Sequence, residues 1–171
     1  WQNFRADIAL PPLFSDNMVL QQDAAIPVWG WGTPGEKIEI KFKNQTKNTT
    51  IRKDSAWTTK LKPVPAGGPF KLTISGTNTI ELKNVMVGEV WICSGQSNMA
   101  WLVTDSRDAA KEIANGTWPD IRMFRVTRHA TDTPQVRCEG VWDTCSPKTV
   151  GNFSAVGYFF GGRENVGFEP T

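Results

Sequence analysis

Apolar and polar residues alternate over short stretches in the first half of the chain. In "EKIEIKF", Ile38 and Ile40 alternate with Glu39 and Lys41, which is typical of a strand with one buried face. Similar segments are "DNMVLQQ", "IPVWGWG", "NTTIRK", "AWTTKL", "FKLTISG" and "NTIELKN", and turn sequences such as "TPGE" and "SGTN" separate them. Short strands at this spacing predict a β-sandwich-like domain over residues 1–84.

The pattern changes near Val85. "VMVGEVWIC" at 85–93 is almost continuously apolar, which is typical of a strand covered on both faces in a parallel sheet. A helix is predicted over 99–114, a second strand over 121–127 and a second helix over 153–165. Alternating strands and helices predict that residues 85–171 form the first, incomplete part of an open α/β sheet.

Composition narrows the function classes. The net charge of the 171 residues is only +2, with Lys and Arg scattered, so the basic surface of a nucleic-acid-binding protein is absent. No apolar stretch has the length of a membrane span. The single histidine and three cysteines show no metal-ligand spacing, and neither a metal nor a cofactor is expected. Cys93 is predicted to be a buried small hydrophobe, and a Cys138–Cys145 disulfide is left open.

The polar turn after Cys93 is the main candidate for chemistry. In an open α/β sheet, ligands bind at the carboxyl ends of strands, where this turn would lie. Gly95 permits a sharp turn, and Ser97 would then begin the following helix, whose free N–H groups favour negative charge. The residues alone leave two interpretations: Ser97 is a nucleophile, or Ser97 or Ser94 caps the helix.

Longer segments carry a family resemblance. "GEVWICSGQSNMAW" at 88–101 resembles the nucleophile block of the sialate O-acetylesterase family, within the SGNH hydrolases. "LPPLFSDNMVLQQ", "VWGWGTPGEKI", "VPAGGPFKLTISG" and "CSPKTVGNFSAVGYFFGGRE" also resemble segments of this family, in its usual order. The resemblance implies a β-sandwich-like region followed by a flavodoxin-like α/β/α hydrolase domain. It also implies removal of acetyl groups from sugar hydroxyls, and a secreted or periplasmic location, or a lysosomal one in a eukaryote.

The same resemblance implies residue roles. Ser97 would be the nucleophile of an acyl-enzyme mechanism, and its own N–H would help to stabilise the oxyanion. Gly157 N–H is a second candidate oxyanion donor, with close helix packing as the alternative role of this glycine. Gln96 and Asn98, on either side of the nucleophile, are candidate substrate contacts.

Two further parts of the family's machinery are absent from the sequence. SGNH enzymes use a later Asn and an Asp-x-x-His block, and no Asp-x-x-His occurs here. A triad of Ser97 with His129 and Asp132 is an alternative, although His-x-x-Asp reverses the family's order. The sequence therefore predicts that a second chain or a missing C-terminal half supplies Asn, Asp and His. Without them, the 171 residues alone are expected to be inactive or nearly so.

Two functions of other classes stay open. Trp29, Trp31 and Trp57 suggest a non-catalytic carbohydrate-binding module, with packing in the core as the alternative role of these rings. An unpaired apolar strand edge after Ile121–Thr127 suggests that the chain binds a partner chain.

Overall fold

The computed structural model describes residues 7–166, of which 163–166 are described by their backbone alone. The chain forms two compact units. The first contains the described residues up to Val90 together with Val126–Val141, and the second contains Trp91–Arg125 and the described residues from Trp142 onward. The domain boundary predicted at residues 84 and 85 stays a prediction.

Seven strands build the first unit: β1 Val19–Gln21, β2 Ile26–Trp31, β3 Lys37–Phe42, β4 Gln45–Thr50, β5 Ala56–Leu61, β6 Gly67–Ser75 and β7 Thr79–Gly88. Five of them form a mixed sheet in the order β1-β7-β6-β3-β4, in which β1 and β7 are parallel. Strands β2 and β5 form a separate antiparallel pair. Each segment predicted as a strand overlaps one, although β4 and β6 begin before the segments "NTTIRK" and "FKLTISG", and β7 continues beyond "NTIELKN".

The alternation predicted from the sequence is present in β3. Ile38, Ile40 and Phe42 are buried, whereas Lys37 before them and Lys41 between Ile40 and Phe42 are exposed. Phe42 meets Phe70 of β6 edge to face, with ring centroids 5.8 Å apart. The β2–β5 pair contributes the buried side chains Ile26, Val28, Trp57 and Leu61. Burial of these apolar faces is the main stabilising contribution to the first unit.

The prediction of a single strand over 85–93 is wrong. Val85–Gly88 are the end of β7, which pairs with β6 and β1 in the first unit. Residues 89–96 form no strand, and Ile92 is 92% exposed. An apolar run does not say which neighbours a strand will find, and here only its first half finds partners among the described residues.

The second unit is smaller and mixed. It contains 3₁₀ helices at Ser97–Ala100, Val103–Asp105 and Val150–Asn152, helices α1 Ala109–Asn115 and α2 Ala155–Val166, and strands β8 Trp118–Phe124 and β9 Trp142–Cys145. The helix predicted at 153–165 corresponds to α2. The second strand also exists, but β8 pairs with β9 in an antiparallel manner, so the parallel sheet expected here is not present in the described residues.

The single helix predicted over 99–114 is also wrong. Trp101 and Leu102 are extended, since the stretch 101–103 pairs with the stretch 153–155 instead of continuing a helix. Ala155 N–H donates to the Trp101 carbonyl at 2.8 Å, and Val103 N–H donates to the Phe153 carbonyl at 3.1 Å. These long-range bonds use the backbone groups that a continuous helix would need.

The core of the second unit is formed by Val103, Met123, Cys145, Val150, Ala155 and Tyr158. The Trp118 indole N–H donates to the Tyr158 hydroxyl at 3.4 Å. Burial raises the pKa of the Cys145 thiol and of the Tyr158 phenol, because it penalises their charged forms. Both groups therefore act as neutral packing groups near neutral pH.

Parts of the two predicted regions, residues 1–6 and 167–171, lie outside the described residues.

Candidate functional site

The turn that contains Ser97 is open to solvent. Every residue from Ser94 to Asn98 is exposed. Gly95 has a φ of +155°, and a Cβ at this position would lie 3.1 Å from the Met99 Cγ. Glycine is therefore suited to this turn both for its backbone conformation and for the space available.

The geometry separates the two interpretations of the serines. Gln96 occupies the N-cap of the 3₁₀ helix, and no side chain makes a capping hydrogen bond there. Ser97 is the first residue inside that helix, and Ser94 lies before the cap. A helix cap is therefore not the role of either serine in this structure. The helix is only four residues long, so the strong helix dipole expected behind Ser97 is not available.

Gln96 and Asn98 flank Ser97 and are exposed beside it. Their backbone carbonyls hold the 3₁₀ helix: Met99 N–H donates to the Gln96 carbonyl at 3.0 Å, and Trp101 N–H donates to the Asn98 carbonyl at 3.2 Å. These bonds fix the backbone from which the Gln96 and Asn98 side chains extend. Their role as substrate contacts stays a prediction.

Gly157 lies in the first turn of α2, in the same unit as Ser97. Its N–H donates to the Ser154 hydroxyl oxygen at 3.3 Å. A Cβ at this position would meet the Phe153 ring at 3.1 Å and the Cys93 sulfur at 3.4 Å. This is the close packing that the sequence offered as the alternative role of Gly157. Its role as an oxyanion donor stays a prediction, and it would require the Gly157 N–H to leave Ser154.

His129 and Asp132 are exposed on the segment Val126–Val141. This segment belongs to the first compact unit, whereas Ser97 belongs to the second. Within the segment, Thr127 N–H donates to the Glu139 carbonyl at 2.8 Å, and the Arg137 guanidinium lies 4.1 Å from the centroid of the Trp31 ring. The triad of Ser97, His129 and Asp132 stays a prediction.

The three tryptophans that suggested a carbohydrate-binding module, Trp29, Trp31 and Trp57, are engaged in packing. Trp57 is fully buried, and Trp29 meets Phe14 edge to face at a centroid distance of 4.6 Å. Trp31 is half-buried and has Arg137 over its ring. None of the three presents a fully exposed ring, which removes much of the basis for a carbohydrate-binding module in this unit.

The three cysteines are free thiols. Cys145 is buried in the second unit and Cys138 belongs to the first, so the disulfide that the sequence left open is not formed. The prediction that Cys93 is buried is wrong, because this residue lies on the exposed stretch before the turn. Among the residues that the structure describes, no three His, Cys, Asp or Glu side chains group as metal ligands would. The helices within residues 7–166 lack the length and apolar character needed to cross a lipid bilayer.

Comparison with known proteins relates this geometry to a family. Sialate O-acetylesterases from rat and mouse are each 32% identical to this chain over 86% of its length, and the human one is 32% identical over 66%. The crystal structure of a carbohydrate acetylesterase from Xanthomonas citri superposes on 94% of the chain with a TM-score of 0.90 and 33% identity. The chain belongs to the sialate O-acetylesterase family.

The match covers only part of each relative. The chain spans 31% of the rat and mouse family members, 24% of the human one and 38% of the Xanthomonas citri structure. A search against models of protein families found no match.

Sequence reasoning missed one exposed aromatic residue close to Ser97 along the chain. Trp101 follows the 3₁₀ helix that Ser97 begins, and this residue is 57% exposed. The only sequence signal was an aromatic residue directly after "GQSNMA", which equally suits a core position.

Proposed function

We propose that this chain carries the nucleophile of a carbohydrate O-acetylesterase, with Ser97 attacking the ester carbonyl of an O-acetylated sugar. The observation that supports this most is the exposed Ser97, which is free of a capping role and lies in a family block with acetylesterase relatives. An acyl-enzyme would form and water would release acetate.

Activation of Ser97 needs a base, because a serine hydroxyl is a weak nucleophile at neutral pH. The sequence contains no Asp-x-x-His block. We therefore propose that the family's Asn, Asp and His come from a further part of the protein or from a second chain. We also propose that residues 1–84 form a sandwich-like domain and that residues 85–171 form part of an α/β/α hydrolase domain.

Backbone N–H groups would stabilise the oxyanion, each contributing about 3 kcal/mol. The Ser97 N–H is the first candidate donor, and the Gly157 N–H is the second. We also propose that the protein is secreted or periplasmic, or lysosomal in a eukaryote.

The test uses the full polypeptide that contains these residues. A fluorophosphonate probe is expected to label Ser97, and Ser97→Ala is expected to lower hydrolysis of acetylated sugars by at least about a thousandfold. Ser94→Ala is the matched control, since Ser94 is equally exposed in the same turn and should retain labelling and activity. Absence of labelling, together with unchanged hydrolysis by Ser97→Ala, would contradict the proposal.

A further inference from the structure

The indole of Trp101 is an unusual surface group. A tryptophan ring is a large apolar body that is highly buried on average, yet 57% of Trp101 is exposed. It lies at the C-cap of the 3₁₀ helix whose first residue is Ser97. Trp101 therefore directly follows the helix that carries Ser97, and its backbone is extended.

The polar groups of Trp101 are all bonded within the second unit. Its indole N–H donates to the Asp105 carbonyl at 2.8 Å. Its backbone N–H donates to the Asn98 carbonyl at 3.2 Å, and its carbonyl accepts from Ala155 N–H at 2.8 Å. The ring is therefore held in place while its apolar face is left to solvent.

Trp91 provides an instructive contrast, because it is exposed to the same extent. Its ring meets Phe160 edge to face at a centroid distance of 5.0 Å, so it is engaged with α2. Trp91 also precedes the turn, whereas Trp101 follows the helix that Ser97 begins.

We propose that Trp101 is a specificity-determining residue: its ring stacks against the sugar ring whose acetyl ester Ser97 attacks. The inference rests on the proposed function. A pyranose has a flat face made of C–H bonds, which suits a fixed aromatic surface and needs no charged partner. A ring held before substrate arrives also loses little conformational freedom on binding. Trp101 thus selects acetyl esters of pyranoses over acetyl esters of small alcohols.

The experiment compares two substrates in the full polypeptide: a mono-O-acetylated methyl pyranoside and ethyl acetate. Trp101→Ala is expected to lower kcat/KM for the pyranoside by about tenfold to a hundredfold, while kcat/KM for ethyl acetate stays within about threefold. Trp101→Phe keeps an aromatic face and loses the bond to Asp105. It is expected to retain the preference for the pyranoside to within about fivefold of the original protein.

Several outcomes would overturn the inference. An unchanged kcat/KM for the pyranoside in Trp101→Ala would remove the stacking role, and equal losses on both substrates would assign Trp101 to folding or to positioning of the turn. A selective loss of the same size in Trp91→Ala would also contradict it. Failure of the proposed function looks different: the unaltered protein would hydrolyse neither ester, and the fluorophosphonate probe would not label Ser97.

Discussion

The strands of the first unit and the region around Ser97 in the second unit differ in how far their apolar side chains are exposed. In the first, the apolar positions of β3 point inward, and Phe42 has no exposed surface. In the second, Ile92, Trp101 and Phe160 remain in contact with solvent. Ser97, Gln96, Asn98 and Gly157 all belong to this second unit. The difference indicates that packing specifies the apolar side chains of the first unit's strands, whereas several side chains of the second unit are specified by something other than its own core.

The largest expected effect tests the packing half of this comparison. Phe42→Ala removes a buried ring and its edge-to-face contact with Phe70, so it should lower the free energy of unfolding by about 3–5 kcal/mol. Urea denaturation followed by far-UV circular dichroism measures this change. Phe160→Ala is the matched control in the second unit. Its ring is part-exposed and contacts Trp91, so the loss should be only about 1 kcal/mol. Equal losses in both variants would break the comparison.

The two thiols of the second unit allow an exposed and a buried side chain to be compared within one unit. Cys93 is exposed, whereas Cys145 is buried and burial raises the pKa of its thiol. Since the thiolate is the reactive form, Cys145 should react with iodoacetamide at least about a hundredfold more slowly than Cys93 at pH 8. Mass spectrometry of peptides from the native protein measures both rates. The difference should vanish in denaturant, and comparable native rates would show that the core around Cys145 opens readily.

The sequence predicted the first unit better than the second for a physical reason. Alternation with a period of two is a local signal, and the β4 neighbours of Ile38 and Ile40, Thr49 and Lys47, lie close by in the sequence. The stretch after Trp101 depends on bonds to residues 153–155, which no local pattern shows. Short helix α1 coincides with the strongest helix formers, "DAAKEIA", and the rest of the predicted helix does not form.

The candidate site also contains features that the sequence could predict and features that it could not. Ser97 was predicted from the resemblance of its segment to the family, since the residues alone left a nucleophile and a helix cap both open. The anchoring of Trp101 could not be found, because it depends on a carbonyl four residues away that bonds the indole only in the folded chain. Likewise, the occupation of Gly157 N–H by Ser154 requires the geometry of α2.

The smallest expected effect concerns Glu89, which lies just before the first unit's long N-terminal stretch ends at Val90. The Glu89 carboxylate accepts hydrogen bonds from the Gln21 amide at 3.1 Å and the Gln22 amide at 2.6 Å. These bonds, led by that from Gln21, lower the pKa of Glu89 below its ordinary value of 4.5. The charged carboxylate is therefore favoured in the folded state. Its stabilising contribution is present above the pKa of the unfolded chain and is lost as the pH falls through the lower pKa of the folded state.

Glu89→Gln tests whether the ordered structure of the first unit extends to Glu89. At pH 7 the variant should be slightly less stable than the original protein, and the gap should close at an acid pH below the lowered pKa of the folded state, because the original carboxylate is then protonated too. The effect should be small, since Glu89 is fully exposed and solvent screens it. Urea midpoints at the two pH values measure the gap. Gln21→Ala should reduce the stability difference at pH 7, because it removes one of the hydrogen bonds to the Glu89 carboxylate. Gln21 also accepts the Val90 N–H and so holds the segment directly before the second unit begins. A gap independent of pH would mean that the Gln21–Glu89–Gln22 bonds do not hold in solution, and that the first unit loosens before Val90.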